Sequence, residues 1–444
     1  MRLPQAMNWN ALIEDVVAGR WRDPETGQAA TLPFEAIRLV ETTEGAEADL
    51  IAPLRLGARL AVVSDANTVE VMGRRVARAL SAIASVDEVV MPAGIHCDEA
   101  TVRLIGERTR HADGVVAVGS GVINDSCKHA TFLDGRPYAV FGTAASMNGY
   151  GATTASVTLA SGLKASLPSH APRGIFLDLG VSAAAPTWLS AAGFGDCLCR
   201  STAQIDWWSS HRLFGTRYSQ TPYALQAADE APMLDRSAGL ARHELEAVGY
   251  LQRVLTLCSI GVAFTGISHH GSMGEHQISH WVDMFAGDRK DRHTTHGQQV
   301  GVASLVMARL QASLLALDSP PVVAPTPIDE AAMLRRYGPQ LGPLCIAEMR
   351  KTALDGPGAD RLNRLLSQIW PTLRAELAPM AIPAAELAGR LRDIGAPTTG
   401  EALGLSAETW RDAIRFSREI RGRWSFVNLA ADAGLLESFL EHEH

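Results

Sequence analysis

Glu275-His276-Gln277-Ile278-Ser279-His280 sets two imidazoles four residues apart, and His293 and His296 follow. On a helix, residues four apart share a face, so His276 and His280 can clamp one ion. No glutamate follows His276, so this is not HExxH and the zinc-protease reading fails. A third ligand must come from elsewhere. Asp196, in Gly193-Phe194-Gly195-Asp196 at a glycine-rich helix entry, is the best candidate. Histidine-rich stretches are often solvated surface. Six of the fourteen histidines fall between residues 269 and 296, however, and that density points to a metal.

The second pattern is Val118-Gly119-Ser120-Gly121-Val122-Ile123-Asn124-Asp125. It follows an apolar run and opens a helix ending near Ala130. Gly119 and Gly121 let a ligand approach the backbone, and the helix start offers unpaired N–H groups and a positive dipole end to a diphosphate. The third glycine of GxGxxG is replaced by Asn124. An ordinary strand–helix turn has the same look, and the motif alone does not separate the two. Asp65 suits a ribose hydroxyl, or it caps a helix.

The elements that position these residues alternate in the first third. Arg59–Ser64, Val86–Met91 and Gly114–Val118 read as strands; residues 69–85 and 99–111 read as amphipathic helices. That β-α-β-α-β order implies a parallel sheet with right-handed crossovers. Tyr138–Gly142 and Arg173–Leu177 add two strands. From Val181 onward strand-like runs nearly vanish, and residues 242–266 and 298–317 carry helical periodicity. Proline-rich breaks lie at 319–327 and 379–383. The expected division is an α/β Rossmann-like domain over residues 1–180 and an all-α domain over 181–444.

Composition narrows the class. The 444 residues are 47% hydrophobic and 20% charged, enough for a sizeable core. A net charge of −8 argues against a nucleic-acid binder. Six cysteines without a CxxC pair suit a reduced, cytoplasmic environment. Glu14 and Asp15 interrupt any signal-peptide core. The apolar run at 254–267 is shorter than a membrane span, so a buried helix and no membrane insertion are expected.

The two motifs in this order resemble the sn-glycerol-1-phosphate dehydrogenases, bacterial branch. These belong to the superfamily of iron-containing alcohol dehydrogenases, glycerol dehydrogenases and dehydroquinate synthases. The matching blocks are GSGVINDSCK (119–128), GTAASMNGYG (142–151), LPSHAPRGIFLDL (167–179), AAGFGDCLCR (191–200), EHQISH (275–280) and THGQQVG (295–301). Two C-terminal stretches, 395–406 and 420–437, join them. The resemblance implies that Asp196, His276 and His296 bind the metal. His280 then contacts substrate, so the two-histidine clamp becomes one ligand plus one substrate residue. It further implies that Gly119, Ser120, Gly121 and Asp125 face the diphosphate of NAD(P), and that Thr143 and Ser146 line the nicotinamide side. Two positions depart from the pattern: Asn148 stands where the family usually has an aspartate that contacts substrate, and Ala152 where it commonly has a serine. Asn can donate and accept hydrogen bonds but cannot take a proton.

The chemistry so implied is hydride transfer between NAD(P)H and a small phosphorylated ketone, at a divalent zinc, nickel or iron ion acting as Lewis acid. Asp196, His280 and Asn148 form the catalytic set. His280, Lys164 and Arg200 are candidate donors to a phosphate, and a homo-oligomer, a dimer, is expected. A dehydroquinate-synthase-type cyclase would need several basic residues, and only four of the 40 basic residues are lysines. An inactive nucleotide-binding scaffold would not need Asp196, His276 and His296.

Overall fold

The computed structural model describes residues 8–29, 32–287 and 294–443. By contacts these form two compact units.

The first unit holds the sheet. Strands β1 (Ala36–Val40), β2 (Arg59–Asp65), β3 (Ser85–Met91), β4 (Gly114–Gly119), β5 (Tyr138–Gly142) and β8 (Gly174–Asp178) pair in the order β1-β8-β5-β4-β2-β3, all parallel. β4, β5 and β8 are buried at every residue. Such strands read as unbroken apolar runs because both faces are covered. Helices α1 (Arg74–Leu80), α2 (Glu99–Thr109) and α3 (Gly121–Asp134) make the crossovers β2–β3, β3–β4 and β4–β5. The expected helix from residue 69 opens with a π turn, Val69–Gly73, and becomes α-helical only at Arg74. Between β5 and β8 a hairpin stands apart from the main sheet: β6 (Thr154–Thr158) against β7 (Lys164–Pro168), antiparallel.

The strand register brings two loops together. Gly119 at the end of β4 lies opposite Gly142 at the end of β5. The Gly119–Gly121 turn and the segment starting at Thr143 therefore leave the carboxyl edge of the sheet side by side, where ligands of open α/β sheets bind.

The partition is not a single cut at residue 180. Helix α4 (Thr187–Phe214) begins in the first unit and continues in the second, and residues Ser219–Ile267 cluster with the sheet. The reason lies in α5 (Leu245–Thr265), which is buried on nearly all sides and so must be covered all round. Gly249 receives the indole of Trp9, where a Cβ would sit 2.5 Å from the ring. The Ser259 hydroxyl accepts from the Gly151 amide at 2.8 Å. Both contacts tie α5 to the sheet unit. It is one helix, among the described residues, long and apolar enough to cross a membrane, and 83% of its apolar window is already buried in protein.

The second unit contains no strand among the described residues. Helices α6 (Gly274–Phe285), α7 (His296–Leu315), α8 (Glu330–Arg350), α9 (Gly356–Leu377), α10 (Ala407–Phe416) and α11 (Phe426–Asp432) pack with the rest of α4 around Trp281, Trp370, Trp410 and Phe426. The expected proline-rich breaks fall between helices. Inside α8, Gly338 at φ 74° marks a kink just before Pro339.

Candidate metal centre and cofactor turn

Asp196 sits on α4, His276 in the first turn of α6, and His296 at the first residue of α7. The glycines around them are contact glycines. A Cβ on Gly195 would lie 2.2 Å from the Gly297 carbonyl oxygen, and one on Gly301 would lie 3.1 Å from the Gly195 Cα. Backbones of α4 and α7 thus touch where their carboxylate and imidazole must meet. Thr295 caps α7 in a capping box with Gln298, which fixes the start of that helix and His296 with it.

One ligand atom from each of Asp196, His276 and His296 lies within 4.8 Å of the other two, so the three can hold a metal ion. Asp196 Oδ1 and His276 Nε2 are 3.4 Å apart. Two ligand atoms about 2.1 Å from a tetrahedral ion would stand about 3.4 Å apart, so the separation fits. The tautomers fit too. His276 Nδ1 is 3.0 Å from Glu275 Oε1, and a carboxylate only accepts, so the Nδ1 proton points there. The Ser279 hydroxyl donates to Gln299 Oε1 at 2.9 Å and lies 3.0 Å from His296 Nδ1, which must then be the donor to it. Each histidine keeps its Nε2 lone pair for an ion, the arrangement that neighbouring carboxylates and hydroxyls impose in metal sites. Burial pulls the His276 pKa down, but the Asp196 and Glu275 carboxylates on either side of the ring outweigh it and the net direction is up; an ion would take the place of a proton on Nε2.

His280 lies one turn beyond His276. Its ring centroid is 5.2 Å from that of His296 and 6.1 Å from that of His276. It borders the three-residue group without belonging to it. Arg200, one turn after Asp196, shares that helix face. A second buried group, Cys199, Glu275 and His276, can also hold an ion. It competes poorly, because the Cys199 thiol donates to the Asp196 carbonyl at 3.0 Å and Glu275 already takes the Nδ1 proton of His276. His293, which follows the EHQISH motif, lies outside the described residues.

In the sheet unit the turn is built differently. Gly119 ends β4, Ser120 is the N-cap, and α3 starts at Gly121 without a side-chain cap. The two glycines have separate reasons. A Cβ at Gly119 would collide with Ile123 at 2.7 Å, so that glycine serves packing. A Cβ at Gly121 would meet only Met147 Cγ at 3.8 Å, so nothing in the protein forbids a side chain there. The space it would fill lies before the unpaired amides of α3, which suits a diphosphate.

Asp125 is turned elsewhere. Its Oδ1 accepts from Asn124 Nδ2 (2.8 Å) and Lys128 Nζ (3.1 Å), and its Oδ2 accepts from the Ser156 amide (2.9 Å). Lys128, with a fully buried side chain, also donates to the carbonyls of Gly149 (2.7 Å) and Thr154 (3.2 Å). This pair staples the Asn148–Gly149 segment and the hairpin to α3. The Tyr150 hydroxyl, 3.1 Å from the Ala144 carbonyl and 3.3 Å from that of Gly119, does the same for the segment carrying Thr143 and Ser146. Asp65 Oδ1 accepts from the amides of Asn67 (2.9 Å) and Thr68 (2.8 Å), so the capping alternative describes its local geometry. Sequence reasoning passed over Lys128, Tyr150, Glu275 and Ser279. Lys128 carried a signal: an Asp–Lys pair at i, i+3 on an apolar helix, in a chain with few lysines.

A parallel α/β unit with a phosphate-type turn, joined in one chain to a helical unit with a carboxylate–two-histidine centre, defines the iron-containing alcohol dehydrogenase superfamily. Residues 40–186 match the family model described as iron-containing alcohol dehydrogenase. The chain is 33% identical over 263 residues to the glycerol-1-phosphate dehydrogenase [NAD(P)+] of Methanothermobacter thermautotrophicus, covering 58% of this chain and 72% of that one. It is 26% identical over 388 residues to the protein of that name from Bacillus licheniformis, covering 86% and 85%. To that of Bacillus velezensis it is 32% identical over 253 residues, spanning 56% of this chain and 64% of the relative's length. In fold it is similar to maleylacetate reductase from Rhizobium sp. (TM-score 0.60, 16% identity, 93% and 97% covered) and to glycerol dehydrogenase from Schizosaccharomyces pombe (0.58, 15%, 92% and 90%). The chain belongs to the glycerol-1-phosphate dehydrogenase family of NAD(P)-dependent dehydrogenases.

Proposed function

We propose that this chain interconverts dihydroxyacetone phosphate and sn-glycerol 1-phosphate with NAD(P)H, at a centre formed by Asp196, His276 and His296. The observation that carries the reading is the convergence of the three residues: each Nδ1 is held by a neighbour, His276 Nε2 faces the Asp196 carboxylate at 3.4 Å, and one ligand atom of His296 lies within 4.8 Å of both. Tautomers fixed in this way are what neighbouring hydrogen-bond partners provide in metal sites, and they support a ligand set here.

When bound, a divalent ion (zinc, nickel or iron) polarises the ketone oxygen as a Lewis acid. The chain's own residues do the rest. The amides of the Gly119–Gly121 turn, with Ser120, bind the cofactor diphosphate, and Thr143 and Ser146 line its nicotinamide end. Asp65 Oδ1 caps its own turn, but the carboxylate's charge at the end of β2 would still repel a 2′-phosphate and so favours NAD over NADP. Asp125 and Lys128 act through position, holding the Asn148 segment. His280 and Asn148 hydrogen-bond the substrate, and Arg200, on the Asp196 face of α4, suits its phosphate. Asn148 holds a hydroxyl but passes no proton, so the proton of the new hydroxyl is delivered by water or by the substrate's neighbouring hydroxyl.

The test is oxidation of NADH and NADPH by the purified chain with dihydroxyacetone phosphate, with zinc, nickel or iron added, and chiral analysis of the product. Turnover to the sn-1 isomer, faster with NADH, supports the reading. Inactivity on this ketone with all three metals, together with turnover of another ketone, overturns the substrate.

A further inference from the structure

The helical unit carries a half-open cavity of about 240 Å³, lined among others by Ser210, Phe214, His269, Lys351, Thr352 and Arg423. Ser210 lies fourteen residues beyond Asp196 on α4. At 1.5 Å per residue that end of the cavity is roughly 20 Å from Asp196 along the helix, while Met273 lines the end nearer His276. We propose that this cavity is an oxyanion site, taking phosphate or the phosphate group of a small monoester.

The first ground is an unbalanced charge. Other mostly buried arginines of this unit have carboxylates: Arg418 meets Asp432 at 2.6 Å and Arg336 meets Glu419 at 2.6 Å. Arg423 does not, among the described residues. Its guanidinium donates to the Ser272 carbonyl and, at 3.1 Å, to the Ser268 hydroxyl, both neutral. Arg421 stands beside it with the same kind of partner, the Ser272 hydroxyl at 2.9 Å. Two neighbouring guanidinium groups without a carboxylate partner are costly to keep out of water unless an anion joins them.

A second observation concerns the histidine beside them. His269 lines the same cavity, and burial and the two arginines push its pKa down to about 2, so the ring is neutral there. A neutral imidazole beside two guanidinium groups adds no competing charge and keeps an N–H for hydrogen bonding.

The remaining wall fits such a guest. Lys351 adds a cation whose side chain is 57% exposed, so the site has an open side. Phe214 and Trp424, with ring centroids 5.3 Å apart, supply an apolar wall for a short carbon tail. Two acidic groups temper the field: Glu348, paired with Lys351 and taking the Gly422 amide at 2.7 Å, and Glu275, beyond the arginines. Three cations against two carboxylates leave the cavity positive. Its volume is below the range of drug-sized pockets and suits a small anion.

The test is isothermal calorimetry of the full chain with inorganic phosphate and, separately, with glycerol 2-phosphate. Expected, with Arg200→Gln in the background so that the phosphate donor proposed at the metal centre does not contribute, is one site with a dissociation constant on the order of 1 mM or tighter. Tighter binding of the monoester would mean that the aromatic wall reads the carbon tail; tighter binding of phosphate, that the free ion is the ligand. Arg423→Gln should weaken binding at least tenfold. Lys351→Gln, at an exposed position that leaves the fold intact, should weaken it severalfold, and Asp196→Ala should not change it. No binding by the parent chain, or affinity untouched by both cavity variants, would overturn the site. Loss of binding in Asp196→Ala with Lys351→Gln unaffected would move the phosphate to the metal centre and overturn it equally. None of these readouts depends on turnover.

Discussion

The cofactor turn and the metal centre solve opposite problems. At the turn, the protein withdraws side chains: Gly121 offers bare backbone, and the nearby charges of Asp125 and Lys128 are satisfied by each other and by carbonyls. At the proposed metal centre it commits side chains, bringing together three that could bind an ion and holding the two imidazoles from behind through Glu275 and Ser279. A site made of backbone is damaged by adding atoms; a site made of aimed side chains is damaged by removing them. That contrast predicts different failures in the two regions.

The largest effect is expected from His276→Ala. It removes a ligand from a three-residue set, and activity should fall by about three orders of magnitude or more with loss of the ion, on the reading that the ion supplies several kcal/mol of transition-state stabilisation. Metal content by mass spectrometry of the purified variant, with NADH affinity measured alongside, checks it. A variant that keeps stoichiometric metal would break the assignment. Cofactor binding should survive, since the turn belongs to the other unit.

Gly121→Val should do the reverse. Its Cβ meets only Met147 at 3.8 Å, so the fold tolerates it, but the branched side chain occupies the approach to the α3 amides. NADH affinity should fall by about tenfold to a hundredfold, at roughly 1.4 kcal/mol per decade, with metal content unchanged. Fluorescence titration of the cofactor decides; an unchanged affinity would show that the diphosphate lies elsewhere.

Next comes Glu275→Gln. The amide can still meet the Met273 amide and His276 Nδ1, but it no longer anchors the imidazole with a charge. Loss of such a partner costs about 10–100-fold in metal affinity. Competition with a chelator measures it. The same substitution should leave NADH binding alone, and an effect on both would blur the comparison between the regions.

How much of this was legible in the sequence follows the same divide. β4, β5 and β8 announced themselves because strands buried on both faces must be apolar throughout. β1 did not: alternate residues of this edge strand are only partly buried, and Arg38 interrupts it. The β6–β7 hairpin hid for a related reason, since Ser156 and Ser166 pair on a polar ladder with no apolar run. Asp196 and His276 could be named from residue type and spacing, but His296 came only from the resemblance, since spacing alone paired His276 with His280. Glu275 and Ser279 could not be named either way, because orienting a histidine is a property of the folded neighbourhood. The contact between Gly195 and Gly297 joins positions a hundred residues apart, which no local pattern encodes. The grouping of residues 219–267 with the sheet was likewise hidden, since helical periodicity does not say what a helix packs against.

The smallest expected effect is the one that sharpens the substrate. Asn148 sits on the segment stapled by Lys128 through the Gly149 carbonyl, so its backbone place is fixed whatever its side chain does. Asn148→Asp then changes charge with little change in shape. If the substrate is dihydroxyacetone phosphate, a carboxylate there can accept a hydrogen bond from a substrate hydroxyl more strongly than the amide does. The gain of a charged over a neutral hydrogen bond is about 1 kcal/mol, or roughly fivefold in kcat/KM, with turnover preserved or raised near neutral pH. If the pocket serves another ketone, with an acceptor facing Asn148 Nδ2, the same change sets a carboxylate against that acceptor and removes its donor. Turnover of that ketone should then drop by one to two orders of magnitude, on a penalty of about 1.5–3 kcal/mol. Steady-state kinetics of parent and variant on both kinds of ketone separate the cases: a rise on dihydroxyacetone phosphate supports the proposed substrate, and a fall on it counts against it.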